Sequence, residues 1–257
     1  MRNKKKRILF IYEGVKAEEH LLRNMGSIFF VDSAEISILN CPADGNLYML
    51  WTRLKKDEFE TNVVDVLKEM STIARERLQN LRASDFSEIY LFFDYDGHNN
   101  NIPKKYLNRD ILDEMLRTFN NETELGKLYI SYPMIESIKE IDMASGDYRR
   151  LYVDLDHISG YKKSFGESSE FGNYDRLKEE HWLLACRASV RRAGLLVKYN
   201  SSCTYDYFIH HLGQEILYRS QKRHYINNGA LLCILNSVPL FLLEYYEEDF
   251  WNRAVYG

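Results

Sequence analysis

In Glu88-Ile89-Tyr90-Leu91-Phe92-Phe93 an unbroken apolar run follows Glu88, and Asp94-Tyr95-Asp96-Gly97-His98 comes directly after it. Five apolar or aromatic residues ended abruptly by acids read as a buried strand leading into a loop. A second run, Arg7-Ile8-Leu9-Phe10-Ile11-Tyr12, ends the same way at Glu13-Gly14. After it the spacing of Leu21, Leu22 and Met25 predicts a helix from about Ala17 to Asn24, with Gly26 as its stop. Ile36-Ser37-Ile38-Leu39 predicts another strand. Residues 47–81 have a helical pattern interrupted near Asp57, with Val63, Val64, Leu67 and Met70 as a buried stripe. A helix over about 107–119 and a strand over Lys127 to Ser131 complete the alternation. Strands alternating with helices predict an α/β fold with a mainly parallel central sheet.

Composition changes near residue 140. Ser145-Gly146, Ser159-Gly160 and Phe165-Gly166-Glu167-Ser168-Ser169 signal loops. Helical patterns follow over 174–198, over 205–221 and near the C-terminus. The expected division is an α/β domain over 1–140 and a mainly helical extension over 141–257, suited to dimerisation or partner binding. Leu231-Leu232-Cys233-Ile234-Leu235 predicts a buried helix, broken by Pro239 before a further apolar segment. The same run could equally form a homodimer interface.

The 257 residues are 45% hydrophobic and 28% charged, ordinary values for a globular chain. No segment approaches the ~20 uninterrupted apolar residues of a membrane span. Met1 to Arg7 is basic, but the apolar stretch before Glu13 is too short for a signal peptide's hydrophobic region. Cys41, Cys186, Cys203 and Cys233 have no zinc or redox spacing, so reduced thiols and a cytoplasmic location are expected. A net charge of −4 excludes nucleic-acid binding through a global basic field. No Gly-x-x-x-x-Gly-Lys stretch is present, which excludes nucleotide hydrolysis by that route.

Glu13, Asp94 and Asp96 each follow an apolar strand. In an open parallel sheet the carboxyl ends of the strands share one edge, where ligands gather. Carboxylates brought together there repel unless a cation neutralises them, and all-oxygen donors suit Mg²⁺ or Mn²⁺. Such ions orient water and stabilise phosphoryl-transfer charge. Asp-x-Asp after a strand is also a common turn and helix cap.

These segments resemble a known family. Ile8-Leu9-Phe10-Ile11-Tyr12-Glu13-Gly14, with Glu18 beyond it, is similar to the first motif of TOPRIM domains, as found in the RloB and OLD-nuclease branches. Leu91-Phe92-Phe93-Asp94-Tyr95-Asp96 is similar to the second motif. Ser131-Tyr132-Pro133-Met134-Ile135-Glu136 resembles the Ser-x-Pro-x-x-Glu segment of RloB-like proteins. The resemblance implies a Rossmann-like TOPRIM domain using Mg²⁺ for phosphodiester chemistry. It makes Glu13 the general acid/base or a metal ligand, and Asp94 and Asp96 metal ligands, with Gly14 and Glu18 in support. Glu136, with Pro133 in the first helical turn, is either a further metal ligand or a favourable helix-start charge.

The function so implied is a toxic endonuclease of bacterial phage defence, similar to PARIS effectors and switched by a partner ABC- or AAA-type ATPase. Its substrate is DNA or RNA, tRNA included. The alternatives are a TOPRIM-like phosphotransferase or primase-associated module, and a non-enzymatic metal-binding partner protein. Arg187, Arg191 and Lys198 share a helical spacing, with Arg192 adjacent, and with His98, Lys104, Lys105, Arg149, Arg150, Lys162 and Lys163 they are candidate phosphate contacts. A mixed, solvated helix face accounts for the same spacing.

Overall fold

A computed structural model of the chain describes residues 6–30, 36–95, 110–162, 170–199 and 202–257. Two compact units emerge: residues 1–93 with 98–128, and residues 94–97 with 129–257.

The first unit opens with β1 (Lys6–Tyr12), α1 (Ala17–Phe29), β2 (Ile36–Pro42), α2 (Leu47–Lys56), α3 (Val63–Met70) and α4 (Thr72–Leu78). It continues with β3 (Glu88–Asp94), α5 (Ile111–Thr118), β4 (Asn120–Asn121) and the start of β5 (Gly126–Ser131). These strands form one sheet in the order β2-β1-β3-β5-β4. β1 runs parallel to both neighbours, with Tyr12 opposite Pro42 on one side and Phe92 on the other. That explains its continuous apolar sequence: a central parallel strand is covered on both faces. Ile8 through Tyr12 are all fully buried. Phe10 meets Phe92 edge-on at 5.4 Å between ring centres. β4 is antiparallel to β5.

The helices start where the sequence offers side-chain acceptors. Asn46, Asn62 and Ser71 accept from the backbone N–H of Met49, Asp65 and Ala74 at 3.0–3.1 Å. The expected interruption at Asp57 is the turn after α2, where Glu58 and Phe59 take positive φ of 56° and 65°. α1 runs past Gly26 to Phe29, longer than the sequence suggests. Burial of Leu21, Leu22 and Met25 outweighs the ~1 kcal/mol cost of an interior glycine. Gly126 is required by space and backbone alike. Its φ is +102°, and a Cβ there would lie 2.4 Å from Leu91 Cδ1.

The second unit comprises the end of β5, a 3₁₀ helix over Ile135–Glu140, β6 (Ile141–Asp142), β7 (Asp147–Tyr148), β8 (Tyr152–Asp154) and α6 (Ile158–Tyr161). Then come α7 (Glu179–Leu196), α8 (Tyr205–His211), α9 (Gln214–Gln221), α10 (Asn227–Gly229), β9 (Leu231–Cys233), α11 (Val238–Tyr245) and α12 (Glu247–Trp251). β6 and β7 form a hairpin, and β8 pairs antiparallel with β9.

The expected helix at Leu231–Leu235 is therefore replaced by a strand. The free edge of β9 is satisfied by a side chain: Gln221 Nε2 donates to the Cys233 carbonyl at 2.6 Å, and its Oε1 accepts from Cys233 N at 2.9 Å. Leu235 exchanges both backbone hydrogen bonds with Tyr132, at 2.8 and 2.9 Å. An apolar run this short fits either element, and only its backbone partners decide. Leu232 through Leu235 and Leu240 through Leu243 are at most 2% exposed. The run expected to offer a dimer face is interior to its own unit. Tyr129 Oη donates to Glu244 at 2.7 Å, and Ile130 N to Gln214 Oε1 at 3.0 Å. These bonds place residues 129–140 in the unit that the sequence begins at residue 141. Among the described residues no helix is long and apolar enough to cross a membrane.

Candidate functional site

In the first unit, Glu13 is the first residue beyond β1 and is half-buried. Gly14 follows, and the carboxylate of Glu18 folds over it. A Cβ on Gly14 would stand 2.9 Å from Glu18 Oε2 and 3.0 Å from Oε1. Glu18 is only 7% exposed, in the first turn of α1. A buried carboxylate is tolerated there because helix N-terminal N–H groups favour negative charge. Gly14 thus supplies the space that lets Glu18 lie against the Glu-Gly turn.

Tyr12, at the end of β1, is held by an ion-pair network. Arg77 Nη1 donates to the Asn40 carbonyl at 2.8 Å and lies 3.4 Å from Tyr12 Oη, while Nη2 pairs with Glu19 at 3.1 Å. Burial, and then the charge of Glu19, push the Tyr12 phenol well above its usual range. It is a neutral packing group at physiological pH.

In the second unit, Asp94 ends β3 and its Oδ1 accepts from Ile135 N at 2.8 Å, at the start of the 3₁₀ helix. Tyr95 N donates to the carbonyls of Ser131 and Pro133 at 3.0 and 3.1 Å. The Tyr95 and Tyr132 rings lie 5.6 Å apart. The Asp94-Tyr95 and Ser131–Ile135 segments are therefore laced together by backbone and carboxylate. Pro133 precedes the 3₁₀ helix by two residues, rather than sitting in its first turn, and Tyr132 forms an isolated antiparallel bridge with Leu235.

Glu136 is the second residue of that helix and is 7% exposed. Its Oε1 pairs with Lys162 Nζ at 3.0 Å, and its Oε2 is buried without a hydrogen-bond partner among the described residues. An unsatisfied buried carboxylate oxygen is costly and calls for a cation, a proton or a water. The next acid on this helix is ion-paired: Glu140, 3% exposed, accepts at Oε1 from Arg150 Nε at 2.7 Å.

Asp96, Lys163, His98, Lys104 and Lys105 lie outside the described residues. Among the described residues, no three His, Cys, Asp or Glu side chains gather as a metal-binding group.

The candidate phosphate contacts have diverse surroundings. Lys162 is engaged by Glu136. Arg149 pairs with Asp142 at 3.4 Å and Arg150 with Glu140. Lys198 lies beyond the end of α7, at φ 60°, so it does not continue the helical face of Arg187 and Arg191. Arg192 is 3% exposed and donates to the carbonyls of Arg150 and Leu151 at 2.8 and 2.9 Å. It is a fastener inside the unit, which one-dimensional spacing does not reveal. Arg191 is exposed, and Arg187 donates from Nε to the Ala254 carbonyl at 3.1 Å.

No family model matches the chain, and no curated protein and no solved structure matches it.

Proposed function

We propose that this chain is a metal-dependent nuclease of the TOPRIM type, with Glu13, Asp94 and Asp96 as its acidic machinery and Glu136 as a further ligand. The observation that carries the reading is the register of β1 and β3. They are parallel neighbours, Tyr12 stands opposite Phe92, and their carboxyl ends bear Glu13 and Asp94. Carboxyl ends of parallel strands are where α/β sheets hold their ligands. The donor set also suits a hard cation. It is all carboxylate oxygen, and Glu136 Oε2 is a buried oxygen without a hydrogen-bond partner among the described residues. Asp94, Asp96 and Glu136 would hold Mg²⁺ or Mn²⁺, with Glu13 as ligand or general acid/base. The bound ion would supply charge stabilisation at the phosphate and a more acidic water. Asp94 is oriented for any such role by its bond to Ile135 N. Glu13 would exchange a proton with the attacking or leaving oxygen. The substrate is DNA or RNA. The role as a defence effector, in the cytoplasm and switched by a partner ATPase, rests on motif resemblance alone.

A second reading has one observation in its favour. The bond from Asp94 to Ile135 N is also what a purely structural helix-start acceptor would make. In that reading the chain is a non-enzymatic binding partner.

The deciding experiment is induced expression of wild type against Glu13→Ala, together with any ATPase encoded beside the gene. Total DNA and RNA are then sized. Fragmentation in the wild type alone supports the nuclease and identifies its substrate. Intact nucleic acid with the partner active rejects it. In parallel, Mn²⁺ should raise the melting temperature of the wild type and raise that of Glu136→Gln less.

A further inference from the structure

A cavity of about 650 Å³ opens in the second unit, beside the C-terminal half of α7. Its volume falls in the range of small-molecule sites. Arg187 and Arg191, one helical turn apart, both line it. Arg187 is steadied through Nε by the Ala254 carbonyl, and among the described residues its terminal amines form no ion pair. Arg191 is exposed and has no hydrogen-bond or ion-pair partner among the described residues. The one carboxylate in the described lining, Asp147, lies 3.6 Å from the buried Arg192 guanidinium. The charge balance of the cavity is therefore positive, although the whole chain is acidic.

The remaining wall is aromatic and aliphatic. Tyr199 is stacked on Tyr207, with ring centres 3.7 Å apart and planes 19° apart. Tyr256 is 60% exposed, and its Oη donates to the Cys203 carbonyl at 3.3 Å, tying the chain before α8 to the C-terminal turn. Leu195 is 51% exposed on the same wall. A bare inorganic anion would leave these surfaces wet, and a purely apolar ligand would strip water from two guanidinium groups without compensation. A ligand with an anionic end and a flat aromatic body uses both: guanidinium forks match phosphate, and tyrosine faces accept a base. Burial pushes the Cys203 thiol up to about 11, so it lines the cavity as a neutral group.

We propose that this cavity binds a nucleoside phosphate, with Arg187 and Arg191 on the phosphate and Tyr199 or Tyr256 against the base. The site stands on the second unit alone and is independent of the acidic machinery proposed above. The same chemistry is offered by a free nucleotide and by the phosphorylated end of a strand.

The test is calorimetric titration of the full chain with divalent metal chelated, using adenosine monophosphate, adenosine, inorganic phosphate and a short 5′-phosphorylated single-stranded oligonucleotide. Adenosine monophosphate should saturate the protein, with adenosine and phosphate each at least about tenfold weaker. Arg191→Gln, at an exposed position, should weaken the nucleotide by about tenfold without moving the melting temperature. Arg187→Lys should weaken it as well, because it loses the planar fork. Tighter binding of the oligonucleotide than of the nucleotide identifies a strand end, and equal or weaker binding a free nucleotide. No saturation by either at millimolar concentration overturns the proposal, as does unchanged affinity in both arginine variants. Glu13→Ala should bind as the wild type does, which keeps this result separate from that of the nuclease reading.

Discussion

Ile135 N donates to Asp94 Oδ1 at 2.8 Å, so the acid that ends β3 also fixes the start of the 3₁₀ helix carrying Glu136. The one side chain has both a backbone to hold and a charge to offer. Asp94→Asn retains the acceptor and removes the charge, whereas Asp94→Ala removes both. Asp94→Ala should therefore lose about 1 kcal/mol of stability, and Asp94→Asn less, in denaturant unfolding. If Asp94 is a metal ligand, both should abolish metal-dependent cleavage. Full cleavage by Asp94→Asn would leave only the structural role.

Gly14 and Glu18 form a second testable pair. Gly14→Ala places a methyl 2.9–3.0 Å from the Glu18 carboxylate, which must move. The expected cost is about 1–2 kcal/mol, since the obstruction is the end of a flexible side chain. In Glu18→Ala the obstruction is gone, so the same Gly14→Ala change should cost much less there. A double-mutant cycle from urea melts measures the coupling, and simple additivity would refute the contact.

Arg192 should be the arginine whose loss matters most for folding. Besides the carbonyls of Arg150 and Leu151 it reaches those of Tyr148 and Ile234, at 3.4 and 3.5 Å. Arg192→Met fills the space but abandons these acceptors, and should cost about 3 kcal/mol or more. Arg192→Lys should recover only part, because an ammonium cannot span separate carbonyls as a fork does. Arg191→Met, on the exposed neighbour, should change stability by less than about 0.5 kcal/mol.

Alkaline pH should unfold the protein within a definite window. Burial pushes Tyr148 from 10.0 to about 12, Tyr225 from 10.0 to about 12 and Cys41 from 9.0 to about 12. For each, the folded state holds its proton more tightly than the unfolded state. The stability so gained is complete below the unfolded values and is lost as pH rises from about 9 to 12. Unfolding midpoints in urea should be unaffected by these groups up to about pH 9 and then fall, with the phenolate of Tyr148 appearing only with loss of structure. A phenolate signal near pH 10 that appears without unfolding and is missing from Tyr148→Phe would contradict the buried environment of Tyr148.

The sequence by itself determined the elements whose signal is local. Ile8 to Tyr12 and Ile89 to Phe93 are strands because each is an apolar run stopped by an acid. The helices over 47–78 start at Asn46, Asn62 and Ser71 because those side chains cap them. The Glu13-Gly14 break after the first strand is local in the same way, whereas the packing of the Glu18 carboxylate against Gly14 is seen only in the structure. What only the tertiary structure decided depends on partners distant along the chain. Leu231–Cys233 is a strand because Tyr152–Asp154 and the Gln221 side chain satisfy its backbone. Residues 129–140 belong with the C-terminal unit because Glu244, Gln214 and Leu235 hold them. Arg187, Arg191 and Arg192 look alike in sequence, yet the first two line a cavity and the third is a buried fastener. A residue's type fixes which bonds it can make, but burial and distant partners fix which ones it does make.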